Sequence, residues 1–220
     1  MLLAIDTSTN HSGVALYNSI GVLAECAWHS GRRHAEQLLP MIDLLLHNLD
    51  AMPGDISAVA VATGPGSWSG LRVGMSFAKA LVVARELPLI GISTLDVLAY
   101  PHRHLPMPVV PMVRLGRDRY GAAMYRATSD GWGRAEPMQN LALDELLHFQ
   151  GQVHFVGEVD DAARALLIEH KAAEVSFSTG MENVRRPAAL AELAWQRLQA
   201  NDTDEPVQLE PLYLGSPVKE

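Results

Sequence analysis

SAVAVATGPGSWSGLRVGMSFAKALVVARE, residues 57–86, runs from an apolar stretch through a seven-residue loop, GPGSWSG at 64–70, into a segment long enough for a helix. Residues 56–63 read as a short buried strand, and residues 71–87 as a helix ended by Pro88. Three glycines and a proline in the loop leave two readings open. In one, backbone N–H groups at the helix start cradle an anion, with Arg72 as the cation. In the other, the glycines let a strand turn sharply into a helix whose N-cap is Ser69. The nucleotide-binding P-loop needs a Gly-Lys-Ser/Thr ending, and position 71 is Leu. The dinucleotide fingerprint fails too, since Ser69 and Gly70 put the third glycine out of step. Physics alone favours the turn.

Upstream, LLAIDT at 2–7 reads as a buried strand, Thr7-Ser8-Thr9-Asn10 as a turn, and residues 13–17 and 21–28 as two further strands of an antiparallel meander. Residues 34–49 form a helix in which Pro40 is expected to cause a kink or mark the true start. Downstream, residues 89–92 are a strand, and Ser93-Thr94 with Asp96 opens a helix over 95–100. The chain thus reads as α/β, in the order β-β-β-α-β-α-β-α. PHRHLPMP at 101–108, with its three prolines, is the expected linker between two lobes, 1–104 and 105–220. In the smaller second lobe, strands are expected near 109–115, 121–127 and 153–156, a turn at Ser129-Asp130-Gly131, and helices near 160–171 and 187–200. No sequence repeat is visible.

A chain of 220 residues that is 48% hydrophobic can bury a substantial core. Its single cysteine, Cys26, excludes an internal disulfide and any four-cysteine metal site. Asp6 interrupts the first apolar run, which argues against a signal peptide, and no apolar stretch approaches the ~20 residues of a membrane span. A cytoplasmic protein with no membrane contact is the expectation. A net charge of −8 counts against a chain that grips nucleic acid alone, because phosphate binding draws on clustered Lys and Arg.

Asp6-Thr7-Ser8-Thr9, followed by Ser12-Gly13, resembles the first phosphate loop of actin-like ATPases, where a strand-end aspartate and small hydroxyl residues hold a metal and phosphates. No second Asp-x-Gly pair or Gly-Gly adenosine motif follows residue 108. Asp6, Thr7, Ser8, Gly64, Gly66, Ser67 and Gly70 therefore make, at most, half of a vestigial nucleotide site, with no catalytic residue assigned.

LLAIDTSTNHSGVAL (2–16), RRHAEQLLPMIDLLL (32–46), DISAVAVATGPGSWSGLRVGMSFAKALVVA (55–84) and IGISTLDVLA (90–99) together resemble the TsaB (YeaZ) family of bacterial tRNA threonylcarbamoyladenosine factors, in order and at the family's spacing. The resemblance implies a degenerate actin-like (ASKHA, ribonuclease H-like) fold of two lobes, the second reduced. It also implies a non-catalytic partner of a TsaD-type catalytic subunit, working with a TsaE-type ATPase on the adenosine beside the tRNA anticodon. On this reading ATP and metal belong to the partner subunits, tRNA is met only through the complex, and the free chain is a homodimer. Past residue 100 two family segments depart: Arg114, Leu115 and Gly116 replace Asp-Ala-Arg, and Gly215 follows Pro211, Leu212, Tyr213 and Leu214 where the family has arginine.

Two apolar faces on each first-lobe helix also point to a partner. Leu38, Ile42, Leu45, Leu46 and Leu49 share one face of the first helix, with Met41 on its flank; in the second, Leu71, Met75, Ala78 and Val82 oppose Val73, Phe77, Ala80, Ala84 and Leu87. Gly70 and Gly74 make a small-xxx-small pair suited to close helix approach. The expected partner interface is His34, Leu38, Met41, Ile42 and Leu45 with Leu71, Arg72, Gly74, Met75, Ala78 and Val82; burial within the lobe is the alternative.

His29 and His34 are five residues apart, which aligns them on no helical face, so no metal site is assigned to them or to His102 and His104. Cys26 reads as a buried, inert thiol, Trp132 as a turn aromatic or packing anchor, and Arg114, Arg117 and Arg119 as a strand edge or a partner contact. An independent actin-like ATPase or small-molecule kinase is the rival reading; a metallopeptidase would need a metal cluster the sequence does not show.

Overall fold

The computed structural model describes residues 1–116, 118–129, 131–171 and 174–214. Arg117, Asp130 and Gly215, named above, lie outside the described residues. The helices are α1 (His34–Asn48), α2 (Trp68–Arg85), α3 (Thr94–Ala99), α4 (Asp161–Lys171) and α5 (Pro187–Gln199). The strands are β1 (Leu2–Asp6), β2 (His11–Asn18), β3 (Gly21–His29), β4 (Ala58–Gly64), β5 (Leu89–Ser93), β6 (Val109–Gly116), β7 (Arg119–Ala122), β8 (Tyr125–Thr128), β9 (Gly131–Arg134), β10 (Gln139–Ala142), β11 (Val153–Gly157) and β12 (Val175–Phe177).

The first sheet has the order β3-β2-β1-β4-β5, with β1, β2 and β3 an antiparallel meander and β4 and β5 added in parallel. Strand alternation gives its two faces different sizes of side chain. Leu3, Ile5, Val14, Leu16, Val59 and Val61 build one core with Leu38, Ile42 and Leu45 of α1 and Met75, Ala78 and Val82 of α2. On the other face Ala4 stands opposite Ala15 and Ala60, and these small residues let α5 lie close. Trp195 of α5 meets Tyr17, and Pro187 lies 3.0 Å from where a Gly13 side chain would begin. Glu25 holds the start of α5 by pairing with Arg186 and accepting from the Ala188 N–H.

After α5 the chain fastens to the sheet. Asp204 bridges the Leu89 backbone and accepts from the Gly91 N–H at 2.7 Å, and the Leu212 N–H donates to the Thr63 carbonyl. One compact unit is therefore discontinuous, Met1–Val97 with Arg186–Leu212; Leu98–Arg185 is the body of the second. This corrects a division into 1–104 and 105–220: the late helix closes the first core because its small residues match the alanine face.

In the second unit the order is β10-β7-β6-β11-β12, with β7 and β10 antiparallel and β11 and β12 parallel, the same strand plan as the first. α4 joins β11 to β12 as α2 joins β4 to β5. The lobe is reduced: β12 has three residues, and a 3-10 turn at Asp144–His148 stands where the first unit has α1. Val110, Tyr120, Phe149, Phe155 and Leu167 fill its core.

Two further expectations change, and three short strands are new. Pro40 sits inside α1, which starts at His34, so it is not the helix start. The strand expected over 121–127 is two, ending at Ala122 and resuming at Tyr125, where β8 pairs with β9. β9, β10 and β12 are too short for side-chain periodicity to announce them.

Candidate functional site

The glycine loop and the β1–β2 turn, the two halves of the candidate phosphate site, are packed on each other. The Ser67 N–H donates to the Ser8 carbonyl at 2.6 Å, and the Thr7 hydroxyl donates to the Gly70 carbonyl at 2.7 Å. A Cβ on Gly66 would stand 2.0 Å from the Ser8 oxygen, and one on Gly70 would stand 2.1 Å from the Thr7 oxygen. The glycines are therefore required by close backbone approach. Gly64 adds a positive φ of 107°, and its Cβ would meet the Leu212 carbonyl at 2.7 Å. The helix begins at Trp68, so the N-cap is Ser67, two residues before Ser69, and its hydroxyl accepts from the Gly70 N–H.

Asp6 is spent in the same way. Its carboxylate accepts from both the N–H and the hydroxyl of Ser8, at 2.9 and 2.6 Å, and Asp6, Thr7 and Ser8 are all buried. Ser12 and Ser30 place their hydroxyls 2.9 and 3.0 Å from His34 Nδ1 and 3.0 Å from each other. Burial pulls the His34 pKa below the ordinary histidine value, against the opposing charge of Asp6. The Ser67 N–H and the Ser8 N–H and hydroxyl, donors that nucleotide phosphates would need, are bonded within the protein, so these residues do not fit that group and no chemical step is derived through it.

The model of the family described as "TsaD: tRNA N6-adenosine threonylcarbamoyltransferase" matches residues 21–217. The Bacillus subtilis tRNA threonylcarbamoyladenosine biosynthesis protein TsaB is 30% identical over 205 residues, covering 91% of this chain and 89% of that protein. The chain belongs to the TsaB (YeaZ) family. The Escherichia coli TsaB is 41% identical over 98 residues, 44% of this chain and 42% of that protein. YeaZ from Pseudomonas aeruginosa superposes with a TM-score of 0.79 at 22% identity, covering 97% of this chain and 99% of that one, which supports the two-lobed actin-like fold.

In this TsaB-family chain most of the expected interface is core. His34, Leu38, Ile42, Leu45, Leu71, Gly74, Met75, Ala78 and Val82 are buried in the first unit itself, and Met41 is half-buried against the same cluster. On α2 the Leu71–Val82 face is the buried one; on the opposite face Val73, Phe77 and Leu87 are half-buried against the same core, and Ala80 and Ala84 are exposed. Of the expected interface residues, Arg72 alone is exposed. The solvent sides of the helices instead carry Leu39 and Leu44 on α1 and Trp68, Ala80 and Val83 on α2.

Elsewhere, His29 meets His11 edge-on at 5.1 Å. Cys26 is half-buried, and burial, then Glu25, pushes its thiol pKa up. Trp132 is a packing anchor stacked on Tyr125. Arg114 pairs with Asp160 and Asp118, and Arg119 binds Asn140, so both are tied within the second unit. A second histidine pair, which no sequence spacing marks, lies in the second unit: His102 and His154 are 5.4 Å apart, and His154 bonds the hydroxyls of Ser176 and Ser178. Among the described residues no helix is long and apolar enough to cross a membrane.

Proposed function

We propose that this chain takes part in making threonylcarbamoyladenosine in tRNA as a non-catalytic subunit that binds and stabilises a TsaD-type catalytic subunit in the cytoplasm. The observation that supports the reading is the loop seated on the turn: the Ser67 N–H is bonded to the Ser8 carbonyl, and the Ser8 N–H and hydroxyl to Asp6, so these donors are turned inward instead of towards a phosphate. The names of its relatives, tRNA threonylcarbamoyladenosine biosynthesis proteins, supply the pathway. Leu39 and Leu44 of α1 and Ala80 and Val83 of α2, exposed beside a filled core, supply the docking surface. Without the partner this surface pairs two copies of the chain. ATP and metal are handled by the TsaD-type and TsaE-type subunits.

Affinity purification from the native cell, followed by mass spectrometry, tests this. A TsaD-type protein should co-purify with the wild type and be lost on Val83→Asp, while the isolated chain turns over no ATP. Partner-free ATP hydrolysis abolished by Asp6→Ala would instead establish the ATPase reading.

A further inference from the structure

The charged side chains of this chain are unevenly paired. Carboxylates outnumber Lys and Arg by 25 to 17 in this chain. Several arginines are engaged: Arg114, Arg119, Arg186 and Arg197 pair with carboxylates, and Arg85 binds the carbonyls of Pro53 and Gly54. Among the described residues no ion pair holds Arg32, Arg33 or Arg72.

The segments that carry those three arginines meet at the β1–β2 turn. The loop that carries Arg32 and Arg33 is bonded to the β1–β2 turn, since the N–H groups of Ser30 and Gly31 both donate to the Asn10 carbonyl. The start of α2 is bonded to the same turn through Ser67 and Gly70. His34 Nε2 lies 3.2 Å from where a Gly70 side chain would begin, which brings the first residue of α1 against the first turn of α2. Asn10, His11, His29, Arg32, Arg33, Ser69 and Arg72 are all exposed around this junction, with Glu36 the nearby exposed carboxylate. Trp68 is 59% exposed, and the Arg72 guanidinium lies 3.9 Å from its ring centre.

We infer that this end of the first unit is a contact for the phosphodiester backbone and an unpaired base of the tRNA, with Arg32, Arg33 and Arg72 on phosphates and Trp68 as the stacking platform. Uncompensated guanidinium groups beside a solvent-facing indole are the combination that holds single-stranded or looped RNA. Three phosphate contacts are too few for binding by the isolated −8 chain at physiological salt; they act where a catalytic subunit supplies the remaining cations. The inference rests on the proposed role in tRNA modification.

The test uses the wild-type chain assembled with its TsaD-type subunit, unmodified tRNA as probe, and binding measured across a salt series. Arg32→Gln/Arg33→Gln/Arg72→Gln should lower the slope of log K against log salt by about 2–3, at roughly 0.7–0.9 per phosphate released. Trp68→Ala should leave the slope unchanged and weaken binding by about fivefold or more. A benzophenone side chain at Ser69 should cross-link to tRNA, a readout that survives if the triple variant folds poorly. Intact complexes with unchanged slope and no RNA cross-link overturn the inference while leaving the function standing. Loss of subunit association with unchanged RNA binding also overturns it, in favour of an acidic protein surface. A wild-type chain that assembles with no such subunit overturns the functional reading and this inference with it.

Discussion

Gly74 has no side chain because Thr7 occupies that space: a Cβ there would stand 2.4 Å from the Thr7 hydroxyl, which is itself bonded to the Gly70 carbonyl. Ala or Leu at 74 gains up to about 1 kcal/mol of helix propensity but must displace a buried hydroxyl and its partner. Overpacking of this kind costs about 1–3 kcal/mol, so repulsion wins. Gly74→Leu should therefore lower the urea midpoint, and its effect on association should follow only from lost stability; a variant that melts like the wild type but fails to associate would return Gly74 to the interface. At this scale the sequence was legible in residue type and silent on partner. Glycines at 66, 70 and 74 announce close approach, yet nothing in their spacing says whether the approaching backbone belongs to this chain or another. The same holds for Ser8: a small hydroxyl after a strand-end aspartate reads equally well as a phosphate ligand or as a plug.

Among the elements, β12 depends on side chains to an unusual degree. Its three residues pair in parallel with β11, and His154 on β11 reaches Ser176 within β12 and Ser178 just beyond it, at 2.9 and 2.8 Å. Burial lowers the His154 pKa, His102 lowers it further, and Glu182 opposes them. Burial also lowers the pKa of His102, with the Glu182 backbone bond and charge opposing and His104 adding to the shift. The direction of linkage follows: as pH falls below the unfolded value of 6.5, the unfolded chain takes up protons that the folded one resists. Stability is fully present above that value and is lost as pH falls through the folded pKa values. Hydrogen-exchange protection factors of the β12 amides, which correct for the intrinsic pH dependence of exchange, should fall from about pH 6.5 downward, and His154→Gln should flatten that dependence. Protection that is level across this range would show that the pair carries no linkage. Long apolar elements such as β1, α1 and α2 were readable in the sequence, within a residue or three at their ends; this small strand was not, because its stability resides in a histidine on a different element.

On the scale of the whole molecule, the prolines at 101–108 lie within the second unit, which begins at Leu98, and the sequence shows neither that boundary nor the duplication. The second unit repeats the strand order and polarity of the first with no visible repeat in residues, since topology needs only pairing direction and alternating burial. Nor was the destination of α5 legible. Its amphipathic pattern states that one face must be buried, and the choice of sheet lies in the fit of Ala189, Leu190, Ala191 and Ala194 to a face lined by Ala4, Ala15 and Ala60.

That destination has a consequence for how the protein is made. A ribosome delivers Met1–Val97 first, but the helix that covers the alanine face arrives only after Arg185 has been polymerised. At roughly 5–20 residues per second, the nascent first lobe waits several seconds or more with that face uncovered. The later-synthesised lobe, whose segments are nearly contiguous, has all its strands available before the earlier one can close. Chains arrested on the ribosome with residue 185 followed by a spacer that clears the exit tunnel should therefore be protease-sensitive within β1 to β5 and protected in β6 to β11, and release of the full chain should protect both. Equal protection of both lobes in the arrested chain would mean that the alanine face closes without α5.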